Sequence, residues 1–336
     1  MYLYSSENEI ISRRIDPKYT ESIRKLIEAI FPAITERNVA ELILNDETLR
    51  NRLIGKLSSD FERLDKKHLL ELVLDIHAPA EALVVLHALL NREKVNADDV
   101  VAELKGYCEK QSPRYSEWVH NNLFGCILNF YAGGNRRCPL YSGYDTFVTM
   151  SKDNIRHFLE LCYTSLSHSD DLNELHKVSL DDQLVAVNYV SKNMLKEIKQ
   201  FGPHGNMLYL FSMRLGNLFG ELRKRESQSE PEQNQFSVKG GMTAECAQIL
   251  RELVKWSVLY ETKLTKQKGL EVGEEYQLNP IYSAFFTISF RKKRRIELTA
   301  EDVVKLYKGT EADYKHIIRR MTQRFAKPDQ MDLFEK

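Results

Sequence analysis

The run Arg291-Lys292-Lys293-Arg294-Arg295 sets five cations side by side, a density of positive charge suited to phosphate. Such a run neutralises a nucleic-acid backbone and gives salt-dependent, largely sequence-independent affinity. It is equally the ordinary make-up of a solvated face. Lys263, Lys266 and Lys268 are a second set of candidate phosphate contacts, partly offset by Glu271, Glu274 and Glu275. Arg156 is a third candidate, a single arginine that follows Ser151-Lys152-Asp153-Asn154-Ile155 near an expected helix start. There it would reach across a cleft to an anion or pair with Glu160 at i,i+4, a contact that stabilises by roughly 0.2–0.5 kcal/mol.

Catalytic motifs are missing from this inventory. No Gly-x-x-x-x-Gly-Lys-[Ser/Thr] occurs in the 336 residues, so no loop of backbone amides is expected to cradle a nucleotide phosphate. His-Glu-x-x-His and Gly-x-Ser-x-Gly are absent too. The five cysteines (Cys108, Cys126, Cys138, Cys162, Cys246) are scattered and never spaced Cys-x-x-Cys, which argues against a zinc ribbon or a disulfide framework and for a reducing, cytoplasmic setting. Intrinsic ATP hydrolysis is therefore not expected, no catalytic residue and no metal ligand is assigned, and an enzyme site assembled from distant residues stays open.

The elements that must carry these residues are mostly helical. Apolar spacing predicts helices near 18–30, 37–55, 66–77, 80–91, 96–109, 115–131, 152–168, 182–200 and 205–224, with Pro79 starting a new one where its missing amide costs little. Around Arg156, Ser151 is the expected N-cap, and Ile155, Phe158, Leu159, Cys162 and Leu166 fall on one apolar stripe. The polar stretch 226–241 reads as a linker or long surface loop. Beyond it, Thr243 caps a helix through Trp256 with Gln248, Arg251 and Lys255 outward. Val258–Thr262 and Glu274–Leu278 read as two strands of a hairpin, and Thr299 caps a further helix. Residues 1–30 lack a signal-peptide apolar region, and the apolar region Leu69–Leu90 is broken by Glu71, Asp75 and Glu81, so no membrane span is expected. Charge is uneven. Residues 1–110 hold 16 Lys/Arg against 20 Asp/Glu, a balance of −4, and residues 286–327 hold 12 against 5, a balance of +7. A nucleic-acid surface is sought in the C-terminal third.

Two groups of residues carry a family resemblance. Tyr141-Ser142-Gly143-Tyr144-Asp145-Thr146-Phe147-Val148, followed by Ser151 and by Asn154-x-Arg156-x-x-Leu159-x-Leu161, resembles the sensor-2 region of bacterial AAA+ ATPases of the origin-recognition-complex-like type. Asp153 stands where that family usually has glycine. Tyr276-x-Leu278-Asn279-Pro280-Ile281-x-x-x-Phe285-Phe286-x-Ile288-Ser289-Phe290-Arg291 is similar to the end of the same family's winged-helix domain. The resemblance implies that Arg156 contacts the terminal phosphate of a nucleotide held by a core domain. ATP would then require a partner subunit or a core absent here, since this chain alone holds no cofactor site. Separately, the tail Gln330-Met331-Asp332-Leu333-Phe334 resembles the pentapeptide with which bacterial replication proteins dock on the sliding clamp, with Gln330, Leu333 and Phe334 as its contacts. It would equally pack back onto the chain.

These readings give a mostly α fold, a helical lid-like bundle followed by a winged-helix (α+β) domain. An N-terminal helical segment would span 1–66, the lid 67–178, the winged helix 182–310 with its linker 226–241, and a last helix and tail 311–336. The expected function is DNA-associated regulation, with double-stranded DNA, the sliding clamp and a P-loop ATPase core as partners. The alternative is a helical protein–protein scaffold that does not bind DNA.

Overall fold

The computed structural model describes residues 16–92, 94–132, 134, 136–152, 154–168, 177–224, 233–263 and 274–326. The N-terminal half is helical: α1 (Pro17–Ile30), α2 (Glu36–Asn45), α3 (Glu47–Arg63), α4 (Lys67–Asp75), α5 (Ala80–Leu90), α6 (Ala97–Cys108), α7 (Pro113–Tyr131), α8 (Tyr144–Ser151), α9 (Ile155–Ser167), α10 (Leu180–Glu197) and α11 (Gly205–Arg223). Then come β1 (Gln233–Lys239), α12 (Ala244–Lys255), β2 (Leu259–Lys263), β3 (Glu274–Leu278), the short α13 (Ser283–Phe286), β4 (Arg294–Thr299), α14 (Ala300–Lys308) and α15 (Glu311–Ala326). The expectation of a mostly α fold with an α+β portion holds.

Local chemistry sets most helix starts. Asp16, Thr35, Asp46, Asn96, Ser112, Ser179, Thr243 and Thr299 each accept a backbone N–H of the turn they open, satisfying amides that have no partner within the helix. Asp46 also corrects the single helix expected over 37–55. It closes α2 and caps α3 through the Leu49 N–H, so the apolar spacing runs on through a break. Helix α8 was not expected at all. It opens after Gly143, whose φ is +98° and where an added Cβ would lie 2.5 Å from the Ala33 side chain, leaving no room for one.

The four strands form one sheet in the order β2-β3-β1-β4, with β2–β3 and β3–β1 antiparallel and β1–β4 parallel. Part of the supposed linker is therefore a central strand. Its sequence misleads because Gln233, Asn234 and Gln235 are polar yet buried. Two of these amides bond the irregular backbone ahead of β4: Asn234 donates to the Ser289 (2.9 Å) and Arg291 carbonyls and accepts from the Lys293 N–H (2.9 Å), and Gln235 donates to the Lys293 carbonyl. Amide groups so matched cost little to bury, whereas the Gln235 Oε1 is buried without a hydrogen-bond partner. Phe236 anchors the strand between Phe211 of α11 and Tyr276 of β3.

A continuous apolar core runs from Phe31 to Met321. Segment 280–291 joins the helical half to the sheet. Tyr141 donates to the carbonyls of Ile288 (2.7 Å) and Ser283 (3.3 Å), and Phe290 packs against Phe124 and Tyr141. Helix α14, opened by a Thr299–Asp302 capping box, packs on α11, α12 and β4.

Candidate nucleic-acid interface and the Arg156 junction

Arg156 lies in the first turn of α9, but Ser151 does not cap that helix. Ser151 ends α8, Lys152 takes the left-handed conformation (φ 45°), and Asn154 caps α9 by accepting from the Arg156 (3.0 Å) and His157 (3.4 Å) N–H groups. The turn between α8 and α9 decides this, because a left-handed residue ends one helix before the next begins. The register moves with it. His157, Leu161, Thr164 and Ser165 are the buried face, while Ile155 (68% exposed), Leu159 (56%) and Tyr163 (71%) point to solvent, so of the expected apolar stripe only Phe158, Cys162 and Leu166 pack against the core.

Arg156 does not pair with Glu160. Its guanidinium meets Glu197 at the end of α10 at 2.6 Å. Beside this pair is a cavity of about 190 Å³ lined by Asn154, Arg156, His157, Lys255, Trp256 and Tyr282. Burial, aided by the neighbouring Arg156 charge and opposed by Glu197 and the Ser151 backbone, pushes the His157 imidazole down to about 4. Next to the cavity the α8–α9 turn touches the hairpin: Tyr260 of β2 donates to the Lys152 carbonyl (3.0 Å), and the Lys152 ammonium lies 5.8 Å from the Tyr260 ring centre.

Helix α12 buries Cys246, Ile249, Leu250 and Leu253 and leaves Gln248, Arg251 and Lys255 exposed, the expected arrangement. Thr243 caps it through the Cys246 N–H (3.2 Å). Its other flank meets α14, where Lys308 pairs with Glu245. The hairpin strands β2 and β3 stand where the sequence placed them. Lys263 ends β2, whereas Lys266 and Lys268 lie outside the described residues, as do Gln330, Leu333 and Phe334.

The run 291–295 is not one open patch. Arg291 pairs with Glu36 at 2.7 Å, its guanidinium 4.4 Å from the Phe124 ring centre. Lys292 (2.8 Å) and Arg295 (2.7 Å) both grip Glu275, and the Lys293 ammonium lies 5.2 Å from the Phe124 ring centre. Arg294 and Arg295 belong to β4 itself. Burial acts to raise the Glu275 carboxyl, but hydrogen bonds from Lys292 and Arg295 outweigh it and leave the group below its ordinary range. Sequence reasoning missed Glu36, Glu197 and Glu275 as partners. Glu36 lies 255 residues from Arg291, and no local spacing signals such a contact.

Among the described residues no group of His, Cys, Asp and Glu side chains is placed to hold a metal ion, and no helix is long and apolar enough to cross a membrane. The fold thus defines a mostly helical protein with a helix–strand–helix–hairpin unit docked on a helical bundle. The chain belongs to the ORC-CDC6-like family, whose model matches residues 4–298, and this makes it a relative of ORC-type AAA+ proteins. No curated protein and no solved structure matches it.

Proposed function

We propose that the chain is a DNA-associated regulatory protein in which the unit α11-β1-α12-β2-β3 acts as a winged helix on duplex DNA. The observation that carries this reading is the sheet order β2-β3-β1 with α12 between β1 and the hairpin, its Gln248, Arg251 and Lys255 exposed together. Such a helix offers donors to groove edges while the hairpin beside it meets the backbone. Lys263, Lys266 and Lys268 would be the hairpin's phosphate contacts. The run Arg291–Arg295 would add a positive background, reduced from five charges by Glu36 and Glu275. Helices α8 and α9 would serve as a lid, with Arg156 turned toward a nucleotide supplied by a P-loop core or partner subunit. Residues 330–334 would dock on the sliding clamp, and a cytoplasmic setting suits five free cysteines.

The test is fluorescence anisotropy of a labelled duplex across a salt series. Binding that weakens steeply with salt, and that Gln248→Ala/Arg251→Ala reduces, is the expected result. Absence of binding at low salt, or binding untouched by that double variant, overturns the reading in favour of the helical scaffold. A pull-down with purified sliding clamp and a Leu333→Ala/Phe334→Ala variant tests the tail separately.

A further inference from the structure

The cavity at the Arg156 junction joins groups from two parts of the chain. Arg156, Asn154 and His157 come from the start of α9, while Lys255 and Trp256 come from the end of α12. Two cations thus face one cavity from different elements, at the N-terminus of a helix, where the backbone dipole favours negative charge. The third polar group is His157, 7% exposed, whose Nε2 lies 3.4 Å from the Asn154 side-chain amide. Each cation is meanwhile held by a carboxylate: Arg156 by Glu197 at 2.6 Å and Lys255 by Glu252 at 3.4 Å. The two cations are more than half exposed and their carboxylates about one third, so the pairs are in contact with water and are weak.

We propose that this cavity binds a phosphate-class anion between Arg156 and Lys255, with Glu197 as the group the anion displaces. A phosphate carries about −1.5 to −2 charges at neutral pH and several acceptor oxygens. It can take a guanidinium in bidentate fashion with a third oxygen left for an ammonium, and it brings more negative charge than a carboxylate. At about 190 Å³ the space admits a phosphate group. The inference rests on the reading of Arg156 as a phosphate contact and deepens it by giving that contact a second ligand. Because Lys255 sits on α12, and Lys152 in the adjoining turn touches Tyr260 of β2, an anion held here ties α9 to α12 beside the hairpin. The phosphate could come from a soluble nucleotide or from a DNA backbone.

Trp256 lines the cavity and reports on it. Tryptophan emission of the full chain is titrated with tripolyphosphate, with a Trp256→Phe variant identifying the signal. A saturable change is expected, weakened about tenfold by Arg156→Ala and by Lys255→Ala, the effect of losing one charge-assisted hydrogen bond. Glu197→Gln should tighten binding, since it frees Arg156 without emptying the site. A pair with only a structural role would lose stability in that variant and gain no affinity. The His157 imidazole resonances, followed by NMR, should titrate at higher pH when the anion is present. The charged groups acting on it are Arg156 from α9 and Glu197 from α10, and an anion on Arg156 offsets the cation.

ATP and a short duplex, added as competitors, separate the two sources: displacement by ATP alone assigns a nucleotide, and displacement by duplex assigns the DNA backbone. No saturable change, or one that ignores Arg156→Ala and Lys255→Ala, overturns the inference. Duplex binding with no tripolyphosphate site defeats this inference and leaves the DNA reading intact. Tripolyphosphate binding without duplex binding does the reverse.

Discussion

Replacing Glu275 by glutamine should raise affinity for DNA while lowering stability, and both magnitudes follow from its surroundings. The Glu275 side chain is 10% exposed and accepts from Lys292 at 2.8 Å and from Arg295 at 2.7 Å. Breaking a fully buried ion pair costs about 3–5 kcal/mol, because a charge is left without a partner in a dry site. Here the cations left behind are 39% and 32% exposed and regain water, which reduces the cost to about 1–2 kcal/mol. For a chain of this length that corresponds to a fall of roughly 1–3 °C in melting temperature. The sign of the pH dependence is fixed by the direction of the shift. The Glu275 pKa is lowered from 4.5 in the folded state, so its contribution is present above 4.5 and is lost as pH falls through the folded value. The gap between wild type and Glu275→Gln, measured by thermal denaturation, should close on acidification. In DNA titrations the two released cations should steepen the salt dependence by up to about 0.9 for each phosphate they reach. An unchanged melting temperature at neutral pH, or a shallower salt dependence, refutes the reasoning.

Gly216 of α11 has no space for a methyl group, since a Cβ there would lie 2.3 Å from the Phe286 ring. Gly216→Ala should therefore cost about 1–3 kcal/mol in urea denaturation, whereas Gly240→Ala meets no atom and is strained only by its φ of +79°. His157 is held down to about 4 from an ordinary 6.5, so the unfolded chain takes up the proton first. Stability should fall between pH 6.5 and about 4, and His157→Gln should flatten that limb of the curve. Thr299→Ala removes half of the capping box on α14 and should cost about 1 kcal/mol.

Much of the α+β half was legible because its determinants are local. Thr243 and Thr299 cap the helices they precede, the outward face of α12 follows from its apolar spacing, and the hairpin strands lie where β-propensity places them. What escaped depends on distant partners. The polar β1 is buried because Asn234 and Gln235 find carbonyls at 289–293, more than fifty residues on. A window centred on β1 sees only polarity. In the same way, the register of α9 depends on the left-handed Lys152 and the Asn154 cap, two residues that the expected helix 152–168 took into its first turn. The site suffered most, since a run of five cations reveals its sequence and not its counterions.

Those counterions bear on the proposed contacts with phosphate. Glu275 occupies two cations of the 291–295 run, Glu36 a third, and Glu197 occupies Arg156. Each carboxylate stands where a phosphate oxygen would otherwise bind, so binding at these points is an exchange of anions and not an encounter with bare charge. The net electrostatic gain is the difference between a doubly charged phosphate and a singly charged carboxylate, less the cost of releasing the latter into water. That difference is smallest for Glu275, which is buried and doubly bonded, and larger for Glu197, which is 34% exposed and makes one short contact. The Arg156 junction should therefore yield to phosphate before the basic run does, although the run has the greater formal charge. Charge counted along the sequence ranks the two surfaces in the opposite order.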